Sequence, residues 1–264
     1  MYVSLAGDGM ISEFYYGTAW KWPIPYLPRI MISAGFARSL KTPYSIDKPW
    51  MMDSGIGGMF KEGSKPRITI DEYAEIIRKW NPSVAWTYDF PCEPSIRVRY
   101  GYDPKEAQNR TNKSTIYLRD KLGMENVMSV VQGWSTRDYV SNIELIKNQG
   151  LLTERLGIGS ICRRGQIAEI NRIIRNVKRN LPGWVKLHGF GVKIPILQTE
   201  ARFYLHSADS MSWAIVAFGK YANGGKGQTG ITISEKLPYL LEYVNRIETI
   251  INRPMPITLG QVPS

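Results

Sequence analysis

The sequence predicts a parallel α/β fold closed into an eight-stranded (β/α)8 barrel of the TIM type, in a single domain. Short apolar or β-branched runs alternate with amphipathic segments about seven times from residue 28 onward. Several of these runs are near-continuous, as parallel strands buried on both faces require. Asp53, Asp89, Gln132, Gly159, His188 and Asp209 all fall at or just past the C-terminal ends of different runs. In a barrel those ends meet at one mouth, where active sites are built, whereas in an open sheet they would spread along an edge. The 264 residues suit one barrel of roughly 250 residues. No Ser/Gly/Pro linker divides them, so 1–264 reads as one domain, with its core at about 28–220 and a C-terminal helix at 234–252.

The expected strands are 29–34 (RIMISA), 50–53 (WMMD), 84–89 (VAWTYD), 127–132 (VMSVVQ), 156–160 (LGIGS), 185–189 (VKLHG) and 204–209 (YLHSAD). The eighth comes either from the N-terminal MYVSL or from 214–220. Helices are expected at 69–80, with acids in the first turn and bases in the last, and at 103–122 and 136–148. A further helix at 166–181 carries Ile167, Ile170, Ile173, Ile174 and Val177 on one stripe. The final helix has Ser234 as its expected N-cap.

Composition narrows the class. Hydrophobic residues at 43% and charged residues at 22% exclude a disordered chain, a collagen and a coiled coil. No run approaches the roughly 18 apolar residues of a membrane span, and MYVSLAGDGMISEF lacks the basic start of a signal peptide. Cys92 and Cys162 are too few for a disulfide framework or an all-Cys zinc site, which favours a reducing, cytoplasmic location, the host cytoplasm if the source is viral. A net charge of +11 suits a polyanionic partner such as nucleic acid.

Asp53 in MMDSGIGGMF, Asp89 in TYDFPCEP and Asp209 in HSADSMSW each end an apolar run, where an ionised carboxylate is costly without a reason. A single Asp at such a turn is as readily an N-cap. Three at once, with a glutamine and glycines in equivalent places, favour a site. Gly55, Gly57 and Gly58 allow close approach of backbone to a ligand, but no Lys-Ser/Thr follows them, so this is not a phosphate-binding Walker loop. Leu156-Gly-Ile-Gly-Ser160 is a second place where a flat ligand could meet backbone, or where strand and helix simply pack tightly. Gln132 offers a donor and an acceptor, which suits the edge of a nucleobase. Tyr88, Phe90, Trp134 and Phe190 could stack a base, and each alone is as readily core.

The blocks Asp53-Ser-Gly…Gly58-Met-Phe60, Tyr88-Asp89, Val131-Gln132-Gly133, Gly157-Ile-Gly159, His188-Gly-Phe-Gly191 and Ala208-Asp209-Ser210, in this order, resemble the tRNA-guanine transglycosylase superfamily. The resemblance implies a barrel that swaps a guanine in a polynucleotide for a 7-deazaguanine, with no cofactor. By position, Asp209 looks like the nucleophile that attacks C1′ and Asp53 like the general acid/base beside it. Asp89, Gln132, Gly133, Gly159, Ser160 and Gly189 look like the base-binding set, and His188 stands where the family usually has a methionine under the base. Departures are informative. Ile56 is inserted, Lys61 replaces a Gln, FDE has become Tyr88-Asp-Phe90, and Ser-Met-Ser-Trp follows Asp209. The CxCxxC…H zinc site of the tRNA enzymes cannot be built from two cysteines, and 264 residues leave no room for an appended RNA-binding domain. The match is therefore nearer to the short DNA 7-deazaguanine transglycosylase (DpdA-like) relatives found beside restriction-like systems and in phages.

The implied partners are DNA, or alternatively tRNA, and a preQ0-like 7-deazaguanine base, with no membrane and with a homodimer or helicase-type partner open. A duplex target base must be flipped out, and a cationic surface supplies backbone binding. Candidate phosphate contacts are Arg97, Arg99, Lys105, Arg110, Lys113, Arg163, Arg164, Lys193, Lys220 and Lys226, the sharpest being Arg163-Arg164 just past a strand end. Two other classes fit less well. A two-carboxylate glycosidase predicts Glu at strand ends, where this chain offers none, and a non-catalytic nucleic-acid-binding paralogue is expected to lack the acid at 209.

Overall fold

In the computed structural model, residues 10–40, 42–43, 45–56, 68–123, 126–214 and 232–252 are described. Eight parallel strands close into a barrel: β1 (Glu13–Thr18), β2 (Ile30–Ser33), β3 (Trp50–Asp53), β4 (Val84–Trp86), β5 (Val127–Val131), β6 (Arg155–Ile158), β7 (Lys186–Gly189) and β8 (Ser207–Ser210). Each pairs with the next, and β8 returns to β1 with Tyr15 opposite Asp209. The predicted fold class is the observed one.

The eighth strand corrects the sequence reading. Neither 1–5 nor 215–220 falls among the described residues, and the place between β8 and β2 is taken by β1, which starts the barrel at Glu13 rather than near 28. EFYYGT begins with an acid and ends in Gly-Thr, so it does not read as an apolar run. Its aromatics nonetheless bury on both faces. Tyr15 points into the barrel with Met31, Met51, Val84, Trp86 and Val130. Phe14 and Tyr16 belong to the outer layer.

Helices wrap the outside: α1 (Ala34–Ser39), α2 (Ile70–Trp80), α3 (Pro94–Tyr100), α4 (Pro104–Leu122), α5 (Thr136–Asn148), α6 (Ile167–Arg179), α7 (Ile194–Leu197) and α8 (Ile233–Asn252). Several of their starts follow from side chains that satisfy the orphan N–H groups of a first turn, among them Ser33 on α1 and Asp103 on α4. Thr69 and Glu72 form a reciprocal capping box on α2, and Ser135 and Asp138 form another on α5. On α8 the reciprocal pair is Thr232 with Glu235, so the expected cap at Ser234 moves two residues back. The stripe of α6 buries Ile170, Ile173, Ile174 and Val177 as expected, while Ile167 at its first residue stays exposed. α8 lies on β1 through Tyr16, whose hydroxyl donates to Glu248 at 3.0 Å.

Side-chain alternation along the strands sets the site. Met51 and Val130 fill the middle of the barrel, so Asp53 and Gln132, two residues further along the same strands, rise at its C-terminal mouth. At the opposite end Arg155 pairs with Glu13 at 2.8 Å and closes the barrel floor. No helix among the described residues is long and apolar enough to cross a membrane.

Candidate active site

Three carboxylates from three strand ends share the mouth. Asp53 ends β3, Asp89 follows β4 and Asp209 lies in β8. Burial, followed by the charges of Asp209 and Asp89, pushes the Asp53 carboxyl up to about 7, against a hydrogen bond from the Gly55 backbone. Asp89 is pushed up to about 6 by burial and then by Glu93, although Ser54 and Gln132 donate to it at 3.3 and 2.6 Å. Raised carboxyls gathered in one cleft are a recurring feature of functional sites.

Asp209 is held from one side. Its Oδ1 accepts from the Gly191 backbone N–H at 3.1 Å and faces His188 Nε2 at 3.3 Å. Gly191 has φ +63°, and a Cβ there would come 2.5 Å from Cys162 Cβ, so only glycine lets this turn aim its N–H at the carboxylate. The His188 ring is fully buried, with Nδ1 2.9 Å from Ser207 Oγ. It stacks on Trp86 at 4.8 Å and meets the edge of Phe190 at 4.9 Å.

Gln132 is equally fixed. Its amide N–H donates to Asp89, its Oε1 faces the Ser160 hydroxyl at 2.8 Å, and its backbone N–H donates to Asn142 at 2.8 Å. Ser160 sits in the left-handed region at φ +56°. Its hydroxyl accepts from Cys92 N–H at 2.7 Å and has one proton for two acceptors, Gln132 Oε1 and Glu93 Oε2, the latter at 3.1 Å. The Gly159 N–H donates to Val131 O, and its carbonyl accepts from the Tyr139 hydroxyl. Gly133 and Gly189 leave room for Tyr139 and Val192, each of which a Cβ would strike.

Sequence reasoning passed over Glu93, Ser54 and Trp86. Glu93 was visible in TYDFPCEP, but only the fold turns it back beneath Ser160. Trp86 and Asp53 follow the last paired residues of neighbouring strands β3 and β4, and each carries a buried polar atom without a hydrogen-bond partner among the described residues. One is a donor, Trp86 Nε1, and the other an acceptor, Asp53 Oδ1. A buried polar atom left so invites a ligand group.

The cations divide. Arg163 and Lys193 are exposed beyond strand ends of the mouth. Arg164, expected beside Arg163 as a phosphate contact, is buried instead. It donates to Ser160 O at 3.0 Å and Trp134 O at 2.6 Å, pairs with Glu169, and lies 3.9 Å over the Trp134 ring. Four such interactions brace the turn that carries Ser160, and no guanidinium edge is left at the surface. Arg97 donates to Cys92 O, and Arg110 pairs with Glu106, while Arg99, Lys105 and Lys113 are exposed. Lys220, Lys226 and the Gly57–Gly58 part of the glycine turn lie outside the described residues. Among the described residues no group of three His, Cys, Asp or Glu is arranged to hold a metal ion.

Comparison with known proteins agrees with the resemblance drawn from the motif order. A search of curated proteins finds no match. The model of the DpdA family, described as DeoxyPurine in DNA protein A, matches residues 18–256, which takes in β2 to β8 and every acid of the mouth. With most of its length matched, the chain belongs to the DpdA family.

Proposed function

We propose that this barrel exchanges guanine in DNA for a 7-deazaguanine through a covalent glycosyl intermediate on Asp209. Family membership supports a purine of DNA as the target. The observation that carries the chemistry is Asp209, held through one oxygen in the field of a second carboxyl, Asp53, whose proton is exchangeable near neutral pH.

In the first half-reaction a carboxylate oxygen of Asp209 attacks C1′ as the C1′–N9 bond breaks. The bonding pair leaves on the guanine, and Asp53 supplies the proton that makes it a neutral leaving group. The carboxylate also meets the positive charge that develops at C1′. In the second half the incoming 7-deazaguanine gives its N9 proton to Asp53, N9 attacks C1′, and the C1′–oxygen bond to Asp209 breaks. A carboxyl at about 7 can give and then take the same proton.

Asp89 and Gln132 present a carboxylate and an amide to the edge of the base, with Gly133, Gly159, Ser160 and Gly189 shaping the slot around them. The target base leaves the duplex to reach them, at a cost of a few kcal/mol. Arg163, Lys193, Arg99, Lys105 and Lys113 contact phosphates and offset that cost. Residues 1–264 act as one barrel domain in this reading. Incubation with labelled 7-deazaguanine and either duplex DNA or tRNA tests it: label enters DNA, and incorporation into tRNA alone would reject it.

A further inference from the structure

We infer that His188 is a positioning residue for the nucleophile, which it holds through one oxygen so that the other, Asp209 Oδ2, attacks C1′. The inference rests on the base-exchange reading above and adds to it an atom assignment and a division of labour between the two half-reactions.

Both donors that reach Asp209 converge on Oδ1, His188 Nε2 at 3.3 Å and Gly191 N–H at 3.1 Å, and no described residue hydrogen-bonds to Oδ2. The His188 ring cannot swing away. It is fully buried, stacked on Trp86 and packed against the edge of Phe190, and tied at Nδ1 to Ser207 Oγ at 2.9 Å. The Asp209 carboxylate only accepts, so the N–H sits on Nε2, and Nδ1 accepts a hydrogen bond from the Ser207 hydroxyl. His188 and Ser207 are register partners on β7 and β8, so the strand pairing itself sets this geometry. A methionine at 188 would fill the space and supply no donor.

The roles differ between half-reactions. Before attack, the Nε2–H and the Gly191 N–H hold Oδ1 and so orient Oδ2. After attack, Oδ1 is the carbonyl oxygen of the glycosyl ester, and the same two donors stabilise the carboxylate that must leave when the new base arrives. His188 therefore assists departure at least as much as attack.

The test uses the full chain, a DNA duplex and His188→Met, His188→Gln and Ser207→Ala. Glutamine places an N–H near the position of Nε2, and methionine does not. Formation of a denaturant-stable protein–DNA adduct reads the first half-reaction, and its resolution on adding 7-deazaguanine reads the second. The expected result for His188→Met is slower resolution by about tenfold or more, with adduct formation slowed less. His188→Gln should keep at least fivefold more of the resolution rate than His188→Met, and Ser207→Ala should slow resolution severalfold. Unchanged resolution in His188→Met, or equal loss in His188→Met and His188→Gln, overturns the inference. Should His188→Met fail to fold, as judged by melting, Ser207→Ala with wild-type resolution overturns it instead. A wild-type protein that forms no adduct and exchanges no base rejects the base-exchange reading itself, and this inference with it.

Discussion

Gly159 lies so close to Gln132 that a Cβ on the glycine would overlap the glutamine's amide. The missing side chain is what lets Gln132 reach Asp89 and Ser160 at once. β5 and β6 pair with Val131 opposite Ile158, so Gly159 falls beside Gln132 by register, and any larger residue there would have to displace the Gln132 amide.

Gly159→Ala is expected to push the Gln132 amide off Asp89. Base selection should loosen, with kcat/KM for the incoming base falling by about tenfold or more, and overpacking should cost on the order of 1–3 kcal/mol in stability. Competition between 7-deazaguanine and other purines, read alongside urea melts, checks both. Wild-type selectivity in this variant would detach Gln132 from base recognition.

Asp209→Ala removes the proposed nucleophile, a partly exposed side chain. Exchange should be abolished, and duplex DNA binding should stay within about threefold of wild type, because phosphate contacts dominate affinity. Residual exchange near the wild-type rate would take Asp209 out of its role.

Asp53→Asn should trade activity for stability. The folded chain holds a proton on Asp53 up to about pH 7, whereas an unfolded chain loses it near the ordinary 3.8. Between those values the folded state binds more protons, so stability falls as pH rises through about 4 to 7 and then levels off. Asp89, raised to about 6 by the same burial, adds to the slope. Asp53→Asn removes its share. The variant should gain on the order of 1–2 kcal/mol over wild type at pH 8, little at pH 4, and lose exchange at both. Melting temperatures across pH 4–8 measure it, and an equal gap at every pH would contradict the raised carboxyl.

Arg163 and Arg164 should respond differently to alanine. Arg163→Ala and Lys193→Ala should each weaken DNA binding and lower the salt slope by about one. Arg164→Ala should leave the slope nearly unchanged and lower the melting temperature, since it strands Ser160 O, Trp134 O and Glu169 without their common donor. Equal salt effects from both arginines would place Arg164 at the DNA.

Much of this barrel was legible in the chain because its signals are local. Trp50–Asp53 and Thr136–Asn148 appear at their expected bounds, since an apolar run ending in an acid and a capped amphipathic helix are each set by neighbouring residues. The order of polar strand ends placed the acids at one mouth, because parallel strands of a closed barrel all point the same way. What the chain could not show by itself depends on contacts between distant residues. The first strand, EFYYGT, is recognisable only once β8 and β2 flank it and α8 covers Tyr16. Burial of Arg164, the return of Glu93 to Ser160, and the His188 contact with Asp209 were likewise decided by tertiary structure. Hydrogen-bond partners, unlike periodicity, are chosen by distance in space.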